Sequence, residues 1–294
     1  KSSTRFDSNT FVNEVNEELA TLKGRVDGLE AQQNNFEAAS FSDTTTMDGK
    51  AIFTVQSVDT EDGKEINANK DIGYDGPIHF AYTYQLNLNT SFNGDDNLYV
   101  RLKSGNHDGP SDIKSAYNTY LGAGAGKGDA LKVDKIWYTL PVNERNTVFL
   151  GPQVENYYMH GTTPSIYKPV LKSFTLGGNG AAYGASTSPG AGWKYEADNG
   201  FAVSSNFTSQ QGKGSPYGMI NDESPTSWAT QVGYTQPQYS VSAIVNMKYN
   251  GWTDDYFKTT DGSARPGDGN STNIGLRGWW RPENTGTATP SISV

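Results

Sequence analysis

The stretch Ile78–Phe92, which reads IHFAYTYQLNLNTSF, decides the fold. Its even positions are apolar apart from Thr90, and its odd positions are polar apart from Ala81. Successive side chains of a β-strand point to opposite faces, so this alternation predicts a strand with one apolar and one polar face. The stretch is longer than the roughly five or six residues of an average soluble strand, and it covers the roughly 9–11 that cross a bilayer.

The same period of two recurs from residue 40 to the end of the chain, where eleven strands are predicted and the last begins near Pro290. Two of these stretches, Leu131–Leu140 and Thr147–Val154, have apolar residues on both faces, and Asp134 or Lys135 interrupts either register of the first. Their facing is left open. The clear cases are Met47–Gln56, Leu98–Lys103, Trp193–Glu196, Phe201–Phe207, Trp228–Thr235, Tyr239–Tyr249 and Ile274–Trp280.

The connections between these stretches alternate between long and short along the whole chain. Outer-membrane barrels have short turns at one end and long loops at the other. A soluble β-sandwich or a trimeric fibre domain also buries one face of each strand, but neither needs every long loop at one end. The prediction is an all-β, transmembrane, antiparallel up-and-down β-barrel. Because water-filled barrels have about 16–18 strands, eleven would form the N-terminal part of one, with the C-terminal strands absent.

Before the strands, the apolar positions are spaced alternately by three and four residues, as in the a and d positions of a coiled coil. A helix docked on a domain is the alternative, but it usually has a wider apolar stripe. We therefore predict a linker at residues 1–10, a coiled-coil helix at 11–39 and a barrel at 40–294. The predicted oligomer seam is Val12, Val15, Leu19, Leu22, Val26 and Leu29.

Composition excludes several classes of site. The chain has no cysteine, which excludes disulfides and thiolate metal sites. The net charge of −9 argues against nucleic-acid binding, which needs a basic face. No run of about 18 apolar residues predicts a transmembrane helix. The mean hydropathy of −0.65 is compatible with barrel strands, whose two faces average out.

No set of residues indicates an enzyme, a cofactor or a metal site. The three histidines, His79, His107 and His160, lie far apart in the sequence, and metalloprotease and nucleophile-elbow motifs are absent. The acidic runs Asp59–Asp62 and Asp254–Asp255 hold the carboxylate oxygens that Ca²⁺ prefers. Solvated external loops are the preferred interpretation of such runs.

Several short motifs resemble those of the cyanobacterial major outer-membrane porins, which are grouped with the carbohydrate-selective OprB-like family and often called iron-uptake porins. A coiled coil leads into the strand Phe41–Phe53, which reads FSDTTTMDGKAIF. The segment Leu131–Pro152 resembles the paired strands of the family, with DKIWY, LP and VFLGP in order. The stretch Gly190–Tyr195, GAGWKY, is also similar.

The resemblance implies a homotrimer in the outer membrane. The coiled coil is expected on the periplasmic side, because the first strand leaves it and reaches a long external loop. The resemblance further implies a water-filled channel for inorganic ions and small polar solutes, with iron and carbohydrate as candidates. It also implies contact with peptidoglycan only through a surface-layer-homology domain upstream of these residues. The alternative is a trimeric surface structural or adhesion protein with a coiled-coil stalk.

In a barrel, the apolar face should contact lipid or a neighbouring protomer, and the polar face should line the interior. The inward charges are mostly basic, which predicts a weakly anion-favouring channel. The apolar set includes Phe80, Tyr82, Tyr84, Leu86, Val241, Val245 and Met247. The predicted pore-lining residues are Gln85, Asn87, Arg101, Lys103, Lys194, Glu196, Gln231, Asn246, Lys248 and Arg277.

The longest connection, Glu155–Pro189, is expected to fold into the interior and narrow it. The alternative is an exposed loop that touches a neighbouring protomer. The candidate constriction residues are Tyr157, Tyr158, His160, Lys168 and Lys172.

Overall fold

The computed structural model divides the chain into two compact units, Lys1–Met47 and Asp48–Val294. Between residues 15 and 28 it describes all but 17, 20 and 27. Further along it describes residues 44–58, 77–108, 112–113, 121–166, 170–171, 180–183, 187–210, 212, 218–221, 224–250, 252, 270–283 and 292–293.

The described residues between 15 and 28 are helical and exposed. Four members of the predicted seam, Val15, Leu19, Leu22 and Val26, are 37–58% exposed, so this apolar row is uncovered in the single chain. Val12 and Leu29 lie outside the described residues. The joining of several copies along this seam remains a prediction, as does the division into linker, coil and barrel. In the part of the chain that the structure describes, no helix combines the length and apolarity needed to cross a membrane.

Eleven strands form a single sheet, in which each strand lies beside its neighbours in sequence. The register pairs from β2 to β11 are all antiparallel. Within the described residues, β1 and β11 are the outermost strands, so closure into a barrel remains a prediction. The strands are β1 (Thr45–Gln56), β2 (His79–Thr90), β3 (Asn97–Gly105), β4 (Lys132–Asn143), β5 (Asn146–Glu155), β6 (Thr187–Glu196), β7 (Phe201–Ser209), β8 (Thr226–Thr235), β9 (Tyr239–Tyr249), β10 (Ser271–Trp280) and β11 (Ile292–Ser293).

All the long connections join strands at the same end of this sheet, which we call the long-loop end. They comprise residues 57–78, 106–131, 156–186, 210–225 and 250–270. The opposite end, which we call the turn end, has the connections 91–96, 144–145, 197–200, 236–238 and 281–291. The predicted alternation of loop length is therefore confirmed.

The turn between β2 and β3 is organised by the carboxylate of Asp96. One of its oxygens accepts hydrogen bonds from the Ser91 hydroxyl and from the backbone N–H groups of Phe92 and Asn93. The other accepts the Tyr138 hydroxyl. These donors, Tyr138 foremost, hold the pKa of Asp96 well below its usual range. Gly94 has a φ of +98°, a backbone conformation that favours glycine.

The two faces of the sheet differ as the sequence predicts. On β9, Val241 and Val245 are exposed, whereas Ser240, Asn246 and Lys248 are buried. On β2, Phe80 is 75% exposed, whereas Thr83 is 1% exposed. The exposed face is therefore apolar and the buried face is polar, which is the reverse of a soluble protein.

Ile244 departs from this division, since it lies on the polar face of β9 and is fully buried. It packs with Ala182, Tyr183 and Ala229. Of the predicted apolar set, Tyr82, Leu86 and Met247 are half-buried rather than exposed.

β-Bulges explain why the facing of β4 and β5 could not be read from the sequence. Arg101 of β3 pairs with Lys135, but the next residue, Leu102, pairs with Val133. Asp134 is therefore the extra residue of a bulge, and both Asp134 and Lys135 are buried. The register of β5 also shifts between Gly151 and Val154. Each strand changes face at its bulge, so no single alternation describes it.

Candidate functional site

The described parts of the connection 156–186 lie over the polar face of β6–β10. The connection starts with a 3-10 turn, Asn156–Met159, and contains the short helix Gly180–Tyr183. Gln231 of β8 holds this loop at Thr162, because its side-chain oxygen accepts the Thr162 N–H at 2.9 Å and its side-chain nitrogen donates to the Thr162 carbonyl at 2.9 Å. On β7, the Ser204 hydroxyl accepts the Gly161 N–H at 3.0 Å.

The loop approaches the sheet so closely that two wall positions have room only for glycine. A Cβ atom on Gly233 would lie 2.0 Å from Thr162 Oγ1. A Cβ atom on Gly192 would lie 2.6 Å from Met159 Sδ. Both distances are far below van der Waals contact, so the absence of a side chain allows the loop to seat here.

His160 is buried between the loop and the sheet as a neutral imidazole. Its Nδ1 accepts a hydrogen bond from the Asn206 side-chain amide at 3.1 Å, and its Nε2 donates to the Tyr183 carbonyl at 3.3 Å. This tautomer follows from the two partners, since a carbonyl can only accept. Burial lowers the pKa of His160 to about 4, although the Tyr183 carbonyl opposes that shift.

The short helix Gly180–Tyr183 is held by β9. Asn246 donates to the Ala182 carbonyl at 2.9 Å and accepts the Ser227 hydroxyl at 2.8 Å. The Tyr183 hydroxyl lies 3.1 Å from that of Ser242. We call the four side chains Ser204, Asn206, Gln231 and Asn246, which lie on the polar face of β7–β9, the neutral wall.

The described parts of the connection 106–131 lie over the polar face of β1 and β2. His107 Nδ1 lies 2.9 Å from both carboxylate oxygens of Asp112, which also accepts the Gln56 side-chain amide. The Ala125 N–H donates to the Thr83 hydroxyl at 3.0 Å.

The two infolded connections meet each other. Leu121 and Leu171 form an antiparallel β-bridge, and the Gly122 N–H donates to the Val170 carbonyl at 2.8 Å. The two connections therefore meet over the polar face, one lying on β1 and β2 and the other on β6–β10.

A network of charged side chains lies on β3–β5. Arg101 contacts Asp134 at 2.7 Å and Glu155 at 2.9 Å. Lys135 lies 3.4 Å from Asp134 and 3.7 Å from Glu155, and Lys127 lies 3.2 Å from Asp134. We call the polar face of β3–β5, which carries Arg101, Asp134, Lys135 and Glu155, the charged wall.

Aromatic rings adjoin this charged wall. Tyr99 packs on Trp137 with ring centroids 4.2 Å apart, and Tyr158 lies 5.3 Å from Trp137. Tyr157 stacks on Tyr158 at 4.9 Å. Burial raises the pKa of Tyr157 and Tyr158, and nearby Glu155 raises it further.

The predicted pore-lining residues fall into different settings. Gln231, Asn246 and Lys248 are buried, and the first two bind the infolded loop. Gln85 and Asn87 hydrogen-bond each other at 2.9 Å. Arg101 is paired with two carboxylates, whereas Lys103 is half-buried. Lys194 pairs with the exposed Glu196 at 2.7 Å, and Arg277 lies 5.7 Å from the Tyr183 ring.

Of the candidate constriction residues, Tyr157, Tyr158 and His160 lie on the polar face, whereas Lys168 and Lys172 are outside the described residues. The acidic runs 59–62 and 254–255 are also outside them. Sequence reasoning missed Lys127, Lys135, Asp134 and Glu155. The one available signal was the charged pair that interrupted both registers of β4. Among the described side chains, no group of three or more His, Asp or Glu is placed to hold a metal ion.

Comparison with known proteins agrees with this architecture. The family model described as carbohydrate-selective porin, OprB family, matches residues 7–290. The chain belongs to this family. OprB porins form a family of channels rather than of enzymes, and they reside in the outer membrane.

Two curated cyanobacterial relatives are also similar, and both are described as uncharacterised proteins. The relative from Nostoc sp. is 33% identical over 57% of this chain and 28% of its own length. The relative from Synechocystis sp. is 29% identical over 46% of this chain and 23% of its own length. The chain thus spans about a quarter of the length of the curated relatives it matches.

Proposed function

We propose that this OprB porin forms a water-filled channel for the passive diffusion of inorganic ions and small polar solutes, with carbohydrate and iron as candidate solutes. The observation that carries the proposal is the reversed polarity of the sheet. An exposed face with Phe80, Val241 and Leu276 suits a hydrocarbon surround, and a buried face with Arg101 and Asn246 suits water and infolded loops.

The infolded loop 156–186 forms the constriction of this channel. Non-helical backbone at membrane depth requires hydrogen-bond partners. The Thr162 backbone N–H and C=O groups both hydrogen-bond the Gln231 side chain, and the Ala182 carbonyl accepts a hydrogen bond from Asn246. This attachment supports a fixed narrowing rather than a loop that swings freely.

The family resemblance gives the number of copies in the proposed homotrimer, and a first strand that runs from the helix to a long external connection is the reason for assigning the helix to the periplasmic side. The uncovered apolar row of the N-terminal helix supports self-association through a parallel coiled coil. Its described positions have the spacing of an a/d seam, and Val15, Leu19, Leu22 and Val26 are exposed. The partners are then outer-membrane lipid and two further copies. Peptidoglycan is reached only through a domain upstream of these residues.

Single-channel recording of the full-length protein in planar lipid bilayers tests this function. We expect discrete conductance steps that scale with salt concentration, and a reversal potential in a KCl gradient that indicates a weak preference for anions. A protein that stays dispersed without detergent and yields no conductance would instead be the surface structural or adhesion protein.

A further inference from the structure

β3 and β4 place like charges directly opposite each other twice on the polar face. Arg101 is the register partner of Lys135, and Lys103 is the register partner of Lys132. The intervening partners, Leu102 and Val133, point to the other face, where Val133 is 50% exposed. Like charges directly opposite each other in an antiparallel pair destabilise the pairing, so each of these pairs requires compensation.

The Arg101–Lys135 pair is compensated within the charged wall. Asp134, turned to this face by the bulge, and Glu155 each contact both cations. Lys127 adds a third cation on Asp134. Two carboxylates are therefore already shared among three positive charges.

The Lys103–Lys132 pair has no direct carboxylate contact of this kind, although Asp134 and Glu155 act on Lys103 electrostatically. Among the described residues, no carboxylate forms an ion pair with either ammonium group. The two facing lysines thus carry two positive charges without a carboxylate in ion-pair contact among the described residues.

We propose that Lys103 and Lys132 form a binding site for a small inorganic oxyanion of the phosphate type, and that this pair sets the ion preference of the channel. Directly opposed residues have Cβ atoms about 4.5–5.5 Å apart, so two flexible ammonium groups can contact one tetrahedral anion. Lysine binds phosphate as a point charge. Lys103 is half-buried and Lys132 is exposed, so the site has a partly desolvated side and an open side.

This assignment rests on the proposed function, because it requires the polar face to border a water-filled passage. The proposal assigns the ion preference to Lys103 and Lys132 rather than to the other basic residues of the polar face. Arg101 and Lys194 already have carboxylate partners, and Lys248 is buried. A cation whose charge is matched by a neighbouring carboxylate attracts a mobile anion far less.

Phosphate block of chloride current tests the site. Full-length protein is recorded in planar bilayers at constant ionic strength while inorganic phosphate replaces chloride. For the wild type we expect phosphate to reduce the single-channel chloride current. In the double variant Lys103→Gln with Lys132→Gln, the half-blocking phosphate concentration should rise about tenfold, because two accessible ion pairs are lost. The reversal potential in a KCl gradient should also move toward cations.

Two further variants act as controls. Lys194→Gln removes one positive charge from the same face, against two in the double variant, at a lysine that already has a carboxylate partner, so block should persist. The double variant Lys103→Arg with Lys132→Arg keeps both charges, and block should persist there too.

The possible failures are distinguishable. Channels that phosphate does not block, or a double glutamine variant that is blocked like the wild type, would overturn the anion site and leave the channel function intact. An equal loss of block in Lys194→Gln would also overturn it, because the effect would then follow net charge rather than this pair. Absence of any channel would overturn the proposed function itself.

Discussion

The charged wall and the neutral wall lie on the same face of one sheet but satisfy their polar groups in different ways. On the charged wall, Arg101, Lys135, Asp134 and Glu155 compensate one another. On the neutral wall, Gln231 and Asn246 bind the backbone of the infolded loop. Charged side chains of opposite sign satisfy one another and leave few hydrogen-bonding groups for a loop. An irregular backbone instead requires neutral side chains that can accept from its N–H groups and donate to its C=O groups. The loop is therefore seated where amides and small residues occur.

The largest expected effect breaks the charged wall. Asp134→Asn removes the carboxylate that three cations share, and it leaves Arg101 and Lys135 facing each other with only Glu155 between them. Removal of one partner from a buried ion-pair network costs about 3–5 kcal/mol, so the free energy of unfolding should fall by that amount. Denaturant unfolding in detergent measures it.

The matched control is Glu196→Gln, which removes a carboxylate from the Lys194–Glu196 pair. Glu196 is about half exposed, so its loss should cost at most about 1 kcal/mol. Equal losses for Asp134→Asn and Glu196→Gln would show that the charged wall is not a compensated network.

A second test distinguishes the neutral wall by its response to acid. Burial lowers the pKa of His160 from 6.5 to about 4, so the released loop binds a proton more readily than the seated loop. The contribution of neutral His160 to the free energy of unfolding is therefore fully present above about pH 6.5 and is lost as the pH falls toward about 4. The shift corresponds to about 3 kcal/mol.

Denaturant unfolding of the wild type and of His160→Gln between about pH 7 and pH 4 measures this contribution. The wild type should lose more stability than the variant over that interval. Parallel curves for the two proteins would contradict the placement of a neutral His160 beneath the loop.

The smallest expected change in stability concerns the glycine that the seated loop requires. Gly233→Ala places a Cβ atom 2.0 Å from Thr162 Oγ1, and overpacking of this kind costs about 1–3 kcal/mol. The loop should shift away from β8, which raises the single-channel conductance and its noise.

Gly278→Ala is the control for this substitution, because its nearest atom is the Ser240 carbonyl oxygen at 3.5 Å. It should leave conductance unchanged. A Gly233→Ala channel indistinguishable from the wild type would mean that the loop does not determine the bore.

Much of the architecture could be predicted because it depends on local periodicity. The alternation of Ile78–Phe92 predicted β2 and its two faces, although the strand itself is His79–Thr90. The alternation of long and short connections predicted an up-and-down sheet. The candidate site was less predictable. Gln231 was identified as a polar-face residue, but its partner Thr162 lies in a distant loop without periodicity.

The sequence by itself determined which residues are apolar, in what period, and where the chain turns, because strand facing follows from a repeat of two. Only the tertiary structure decided that Asp134 and Lys135 share a face, since a bulge is defined by the pairing of two strands. It also decided that Arg101 contacts two carboxylates while Lys103 and Lys132 contact none among the described residues, and that Gln231 binds a loop. Compensation of charge and satisfaction of backbone groups depend on distances between residues that are remote in the chain, and no local pattern contains them.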